Sequence, residues 1–164
     1  MNALDKAKAA LGSLTPLKTN CGKYCGGACC EADESGDNGM LLLPGEEKYY
    51  ENPIEGFPFR LVDDDTLMDG GKRFVCEGAC IREHRPIACR LFPLRVRIAN
   101  GKAEAELDPR AWAVCPLLER GGMRAMSQDF IAAVKAAGEA LMEDETIRAA
   151  MEREQRMLDE TRVL

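Results

Sequence analysis

The clearest structural signal in the chain is the stretch Leu94-Arg95-Val96-Arg97-Ile98-Ala99-Asn100-Gly101-Lys102-Ala103-Glu104-Ala105-Glu106-Leu107. Apolar and polar residues alternate on both sides of Asn100-Gly101, over 94–98 and over 102–107. This alternation is typical of strands with one buried face, and Asn-Gly is a preferred pair for a two-residue hairpin turn. The sequence therefore predicts an antiparallel hairpin here.

C-terminal to the hairpin, residues 123–162 have a helical pattern. Apolar residues recur there at spacings of three and four, which is typical of one buried helix face. The first of these runs contains Met126, Phe130, Val134, Ala137 and Leu141. The pattern favours two helices that join near Glu143-Asp144 over one long helix.

N-terminal to the hairpin, short apolar runs over 40–43, 59–62 and 73–76 are bounded by Pro, Gly and Asp, and predict short strands. Residues 2–12 predict a helix that ends by Thr15-Pro16, because a residue before proline disfavours helix. We therefore expect a single α+β domain over 1–164, irregular and organised by metal, with a short antiparallel sheet and C-terminal helices.

The composition limits the classes of function. The 164 residues are 46% apolar and carry a formal net charge of −6, which does not favour binding to a phosphate backbone. The N-terminus lacks the charged segment and apolar run of a secretory signal, and no stretch reaches about 18 consecutive apolar residues. We expect a soluble, cytoplasmic protein that binds neither membrane nor nucleic acid.

Eight cysteines are the main chemical feature of the sequence. They are Cys21, Cys25, Cys29, Cys30, Cys76, Cys80, Cys89 and Cys115. Because they cluster and no export signal is present, metal ligation is favoured over a secreted disulfide scaffold, which is the alternative. Zinc and iron–sulfur clusters each accept four thiolates, so eight cysteines could supply two sites. All eight are candidate ligands, and residues 20–115 are the expected metal-binding core.

The first cysteine segment leaves its geometry open. Cys21, Cys25 and Cys29 are spaced four residues apart and would share one helix face, but the intervening glycines favour tight turns. Adjacent cysteines point in different directions. Cys29 and Cys30 therefore either serve two neighbouring metals, or one is a ligand and the other a buried thiol.

The most distinctive stretch is Cys80-Ile81-Arg82-Glu83-His84-Arg85-Pro86-Ile87-Ala88-Cys89-Arg90-Leu91-Phe92-Pro93. Pro86 fits the first turn of a short helix, which Phe92-Pro93 would end. Arg85 and Arg90 could offset thiolate charge or remain ordinary surface charges. His84 is either a ligand or a surface imidazole. Glu46 and Glu47 could assist a metal, although a helix start is the simpler interpretation.

This stretch resembles the YkgJ-type cysteine-cluster proteins, a family with a CxxCxxCC signature that chelates zinc or iron. The matching positions are Cys80, Ile81, Arg85, Pro86, Cys89, Arg90 and Pro93, with Cys25-Gly26 and Cys29-Cys30 in the first cluster and Cys115 as a late cysteine. The chain departs from the family at Arg82, where a tyrosine is usual, and in the wider spacing after Cys21. The resemblance implies metal chelation, and some related proteins are linked to protein lysine methylation.

We therefore predict a metal-binding protein that holds zinc, or alternatively iron, through cysteine thiolates. The alternatives are an iron–sulfur redox protein and an enzyme related to protein-lysine methylases. No catalytic residue and no organic cofactor site is identified, so enzymatic activity stays open. Metal ions are the expected partners, and a protein partner is left open.

Overall fold

Four α-helices and two small antiparallel sheets form the α+β structure of the described residues in this computed structural model. The described residues are 1–17, 39–78 and 80–161. The helices are α1 (Ala3–Leu11), α2 (Ile87–Leu91), α3 (Gln128–Leu141) and α4 (Glu145–Thr161). The strands are β1 (Met40–Leu41), β2 (Phe59–Asp63), β3 (Lys72–Cys76), β4 (Leu94–Ala99) and β5 (Lys102–Leu107). Short 3-10 helices cover Glu46–Tyr50, Arg82–His84, Pro109–Ala113 and Gly122–Ala125.

The chain forms two compact units, each built from two separate parts of the sequence. The first unit takes its described residues from 1–17 and 90–144, and the second from 39–89 and 145–161. The expectation of a single domain over 1–164 stays a prediction.

In the first unit, strands β4 and β5 form the hairpin that the sequence predicts. Leu94 pairs with Leu107 at the open end, and Ala99 pairs with Lys102 next to the turn. Asn100 has φ 52° and Gly101 has φ 73°, so both central residues lie in the left-handed region. A two-residue turn of this kind matches the twist of antiparallel strands, which explains why Asn-Gly occurs here.

Helix α3 packs on this hairpin and on α1. Its Gly138 allows a close approach, since a Cβ there would lie 2.6 Å from Val96 Cγ1 and 2.7 Å from Ala103 Cβ. The Ala103 amide also donates to Glu139 Oε1 over 2.7 Å. Phe130 is fully buried and belongs to the apolar face of α3. The first unit is thus a hairpin and two helices joined mainly by small and aliphatic side chains.

The second unit contains a three-stranded antiparallel sheet in the order β1-β3-β2. A core cluster of Leu42, Tyr50, Phe57 and Phe74 lies against this sheet. Phe74 is in the central strand β3, where Phe74 pairs with Met40 on one side and Leu61 on the other. The unit also includes α4, an amphipathic helix whose buried residues are Ile147, Ala150, Met151 and Leu158.

Most of the element predictions are confirmed, with small corrections. The N-terminal helix, the three short strands and the two C-terminal helices joined at 142–144 occur where the sequence indicates them. The described chain has two small sheets instead of one. Pro86 precedes α2, which begins at Ile87, and residues 122–125 are 3-10 helix. No helix within the described ranges has the length and apolar character needed to cross a membrane.

Candidate metal centre

The structure describes four of the eight predicted ligands. Cys76, Cys80 and Cys89 lie in the second unit, Cys115 lies in the first, and all four are partly buried. The predictions for Cys21, Cys25, Cys29 and Cys30 fall outside the described residues. Across residues 1–17, 39–78 and 80–161, no three or more His, Cys, Asp or Glu side chains group closely enough to hold a metal ion.

Cys76 and Cys80 lie on an apolar floor made by aromatic side chains. Both residues pack against the cluster that contains Tyr50, Phe57 and Phe74. The Phe74 ring lies 4.8 Å from Tyr50 and 5.5 Å from Phe57, measured between ring centroids. Aromatic residues are only 5% of the chain, and several of them gather in this cluster, which gives Cys76 and Cys80 an apolar surface to pack against.

Cys76 lies at the C-terminal end of β3, and its position in the strand fixes its backbone. This residue is the last of the strand and pairs with Phe59 across the sheet. Its Sγ lies 3.4 Å from the carbonyl oxygen of Gly78, to which the thiol donates. The chain therefore turns immediately after Cys76.

Arg85 provides the positive charge beside Cys80. Its Nε donates to Cys80 Sγ over 2.8 Å, and both side chains are partly buried. The guanidinium is planar and always charged, so a donor in this position offsets the negative charge of a thiolate. One of the two arginines named from the sequence thus contacts a predicted ligand directly.

His84 contacts Tyr50 of the aromatic cluster through its backbone carbonyl. Its carbonyl oxygen accepts a hydrogen bond of 2.8 Å from the hydroxyl of Tyr50, while its side chain is exposed. The Tyr50 ring belongs to the aromatic cluster and only 5% of the residue is exposed. The hydroxyl therefore reaches from the core to the turn Arg82–His84. This contact supports a positioning role for the turn more directly than a role of the imidazole as a ligand.

Glu46 is the residue that sequence reasoning underestimated. It is completely buried, at 0% exposure. Its Oε2 accepts from the Leu43 amide over 3.0 Å, and its Oε1 accepts from the Ile87 amide over 2.7 Å. The helix start at Glu46 is confirmed, because the 3-10 helix Glu46–Tyr50 begins there. Its contact with Ile87 also ties this helix to the first residue of α2, which carries Cys89.

The sequence around Glu46 contains only a weak indication of the buried role of this residue. Gly45 has φ 87°, so the chain turns sharply just before the carboxylate. The partner amide at Ile87 lies 41 residues further along, and a contact of that range leaves no periodic pattern in the sequence. Because both carboxylate oxygens accept backbone donors, the geometry favours a structural role for Glu46 over metal ligation.

Cys115 has a separate environment in the first unit. It follows the 3-10 helix Pro109–Ala113, whose N-cap is the buried Asp108. Its amide donates to the Ala111 carbonyl over 2.8 Å. The same 3-10 helix carries Trp112, which is 64% exposed. Its backbone hydrogen bond holds Cys115 at the end of a regular turn.

Comparisons of the chain with protein-family models, with curated proteins and with solved structures give no match. The resemblance to YkgJ-type proteins, which depends on the motif in residues 80–93 together with the first cysteine cluster and Cys115, stays a prediction.

Proposed function

We propose that the protein binds metal ions, zinc in the first place, through cysteine thiolates. Among the described residues, Cys76, Cys80 and Cys89 are the candidate ligands of this proposal, which does not assign all three to the same metal ion. The observation that carries it is the 2.8 Å hydrogen bond from Arg85 Nε to Cys80 Sγ, in a segment that holds three cysteines within residues 76–89.

The surroundings of Cys80 support this chemistry. Thiolates are the form in which cysteine binds metal, and a nearby cation favours that form. The aromatic floor reduces the access of water, which strengthens the attraction between a thiolate and a cation. Groups that hydrogen-bond to a ligand commonly orient it and tune the metal site. Arg85 is placed to do this for Cys80.

The donor set favours zinc or iron over harder cations. Magnesium and calcium prefer oxygen ligands, whereas soft thiolates select zinc and iron–sulfur clusters. A site closed by four thiolates has no position for a substrate, so its main contribution would be to the stability of the fold. Metal bound to this segment would organise the connection between β3 and α2.

The test is elemental analysis of protein purified without oxygen, with an absorbance spectrum of the same sample. We expect zinc, a colourless solution, and a loss of about one zinc per chain in the variant Cys89→Ser. Ala88→Ser is the matched control, because it adds the same hydroxyl to α2 and keeps the thiol. The control should retain the metal content of the wild type.

Other outcomes would change or reject the proposal. Iron with acid-labile sulfide and a brown colour would replace zinc by an iron–sulfur cluster and favour a redox role. Neither metal, together with cysteines oxidised in pairs, would reject metal binding. Equal zinc content in Cys89→Ser and Ala88→Ser would remove Cys89 from the ligand set.

A further inference from the structure

The 3-10 helix Glu46–Tyr50 contacts the segment between Cys80 and Cys89 at two points. The hydroxyl of Tyr50 donates to the His84 carbonyl over 2.8 Å. Glu46 Oε1 accepts from the Ile87 amide over 2.7 Å. Both contacts are made to the backbone of the segment, so they restrict its path without occupying the thiols.

We propose that Glu46 and Tyr50 are positioning residues that hold Cys80 and Cys89 at a fixed separation before a metal ion binds. This inference rests on the proposed function, since it assigns those two cysteines as ligands. It adds that the protein presents a preformed part of the site, held by its own side chains. The two residues touch the ligand-bearing segment and not the metal.

The position of the contacts explains why they act on ligand spacing. His84 lies four residues after Cys80, and Ile87 lies two residues before Cys89. Each thiol is therefore separated from a fixed backbone point by only a short piece of chain. Short pieces have few conformations, so little ordering is left for the binding step.

The two side chains are themselves held firmly. Tyr50 lies between aromatic neighbours, with its ring centroid 5.5 Å from Phe59 and 4.8 Å from Phe74. Glu46 is fully buried and accepts from Leu43 as well as from Ile87. A buried carboxylate that lost a backbone donor would be left incompletely hydrogen-bonded, which is costly. The 3-10 helix is thus a rigid support for the segment.

Preorganisation has a measurable consequence for metal affinity. When only a fraction of the metal-free chains has the binding geometry, the apparent dissociation constant equals the intrinsic constant divided by that fraction. Removal of a positioning contact should therefore weaken metal binding even when the protein stays folded and all thiols remain. A contact that served only general stability would lower the melting temperature and leave the affinity of the folded protein unchanged.

The experiment is a titration of the reduced, metal-free full chain with cobalt(II) chloride, followed by the thiolate-to-cobalt and d–d absorption bands. Tyr50→Phe removes the hydroxyl and keeps the ring in the aromatic cluster. We expect it to raise the apparent dissociation constant for Co²⁺ about three- to tenfold, the effect of one lost hydrogen bond. The stoichiometry should stay that of the wild type, because every thiol is retained.

Tyr49→Phe is the matched control, since Tyr49 is the neighbouring tyrosine of the same 3-10 helix and is 37% exposed. We expect its Co²⁺ affinity to equal that of the wild type. Melting temperatures of the metal-free proteins are measured in parallel, and titrations are run well below them. Glu46→Gln is a second variant with an expected loss of about tenfold.

The outcomes separate the inference from the proposed function. If the wild type binds Co²⁺ and Tyr50→Phe binds as tightly as Tyr49→Phe, the inference is overturned and metal binding stands. If the wild type binds no Co²⁺, both are overturned. If Glu46→Gln does not fold, the comparison between Tyr50→Phe and Tyr49→Phe decides alone.

Discussion

The β4–β5 hairpin and the cysteine segment of residues 76–89 are held by different kinds of contact. The hairpin closes through Asn100-Gly101 and pairs neighbouring strands, so the contacts that form it are local, although α3 also packs on it. The cysteine segment contains the end of β3, a 3-10 helix and the start of α2, and side chains from far along the chain contact it. Glu46 and Tyr50 reach it across 41 and 34 residues.

This difference in the kind of contact determines which substitutions disturb each region. A local hairpin tolerates changes elsewhere, because its turn and strand pairing are encoded together. A segment tied by buried polar groups is sensitive to single substitutions at distant positions, since each broken tie leaves a buried donor or acceptor unsatisfied. The path of the cysteine segment therefore depends on Glu46 and Tyr50, which lie outside it.

The largest expected effect is on the free energy of unfolding. It is tested by truncating two buried phenylalanines, Phe74 in the second unit and Phe130 in the first. Phe74→Ala and Phe130→Ala should each lower the free energy of unfolding by about 3–5 kcal/mol, measured by denaturant titration, because each removes a large core side chain. Phe74→Ala should also weaken zinc binding, since Cys76 and Cys80 pack against its cluster. Equal zinc affinity in the two variants would contradict the division between the regions.

The next effect concerns the close packing of α3 on the hairpin. Gly138→Leu should destabilise the protein by about 1–3 kcal/mol, because overpacking against Val96 and Ala103 exceeds the gain in helix propensity. Zinc content should not change. Ala136→Leu is the control on the exposed face of α3, with an expected change within about 0.5 kcal/mol. A neutral Gly138→Leu would show that α3 does not need the close approach.

The two regions also differ in how far the sequence predicts them. Asn100-Gly101 lies between two alternating runs, and local backbone preference is sufficient to predict the hairpin. The assignment of Cys80 and Cys89 as ligands stays a prediction, whereas the contact of Arg85 with Cys80, which the sequence proposes as a charge partner, is present in the structure. The hairpin and this contact could be predicted because the interacting residues are close in the chain.

The supports of the cysteine segment could not be predicted in the same way. Glu46 and Tyr50 act through tertiary contacts, and their own neighbourhood indicates only a helix start. The buried state of Glu46 contradicts the usual preference of glutamate for solvent, so composition would place it on the surface. The geometry of the first cysteine segment lies outside the described residues and stays a prediction.

A smaller effect is expected from the charge beside Cys80. Arg85→Met should weaken zinc binding about tenfold, because it removes the guanidinium that donates to Cys80 Sγ and keeps a side chain of similar length. The measurement is competition for zinc with a coloured chelator. Arg82→Met is the control, since Arg82 lies three residues earlier and is also partly buried. If both variants lose affinity equally, the effect is one of overall charge.

The smallest effect comes from an exposed pair on the sheet of the same unit. Asp63 of β2 pairs with Lys72 of β3, and the hydrogen bond and positive charge of Lys72 lower the pKa of Asp63 below its ordinary value of 3.8. A carboxyl group with a lowered pKa stabilises the folded state above its ordinary pKa. This contribution is lost as the pH falls through the lowered value.

Melting curves of the wild type and Asp63→Asn should therefore differ slightly at pH 7; the difference should begin to shrink near pH 3.8 and disappear once the pH is below the lowered pKa. The difference at pH 7 should also shrink in 1 M salt, because exposed charges are screened. A large difference that persisted in salt would mean that surface charge pairs, as well as the buried contacts of Glu46 and Tyr50, determine the stability of this unit. A small and screened difference would leave those buried contacts as the supports on which the cysteine segment depends.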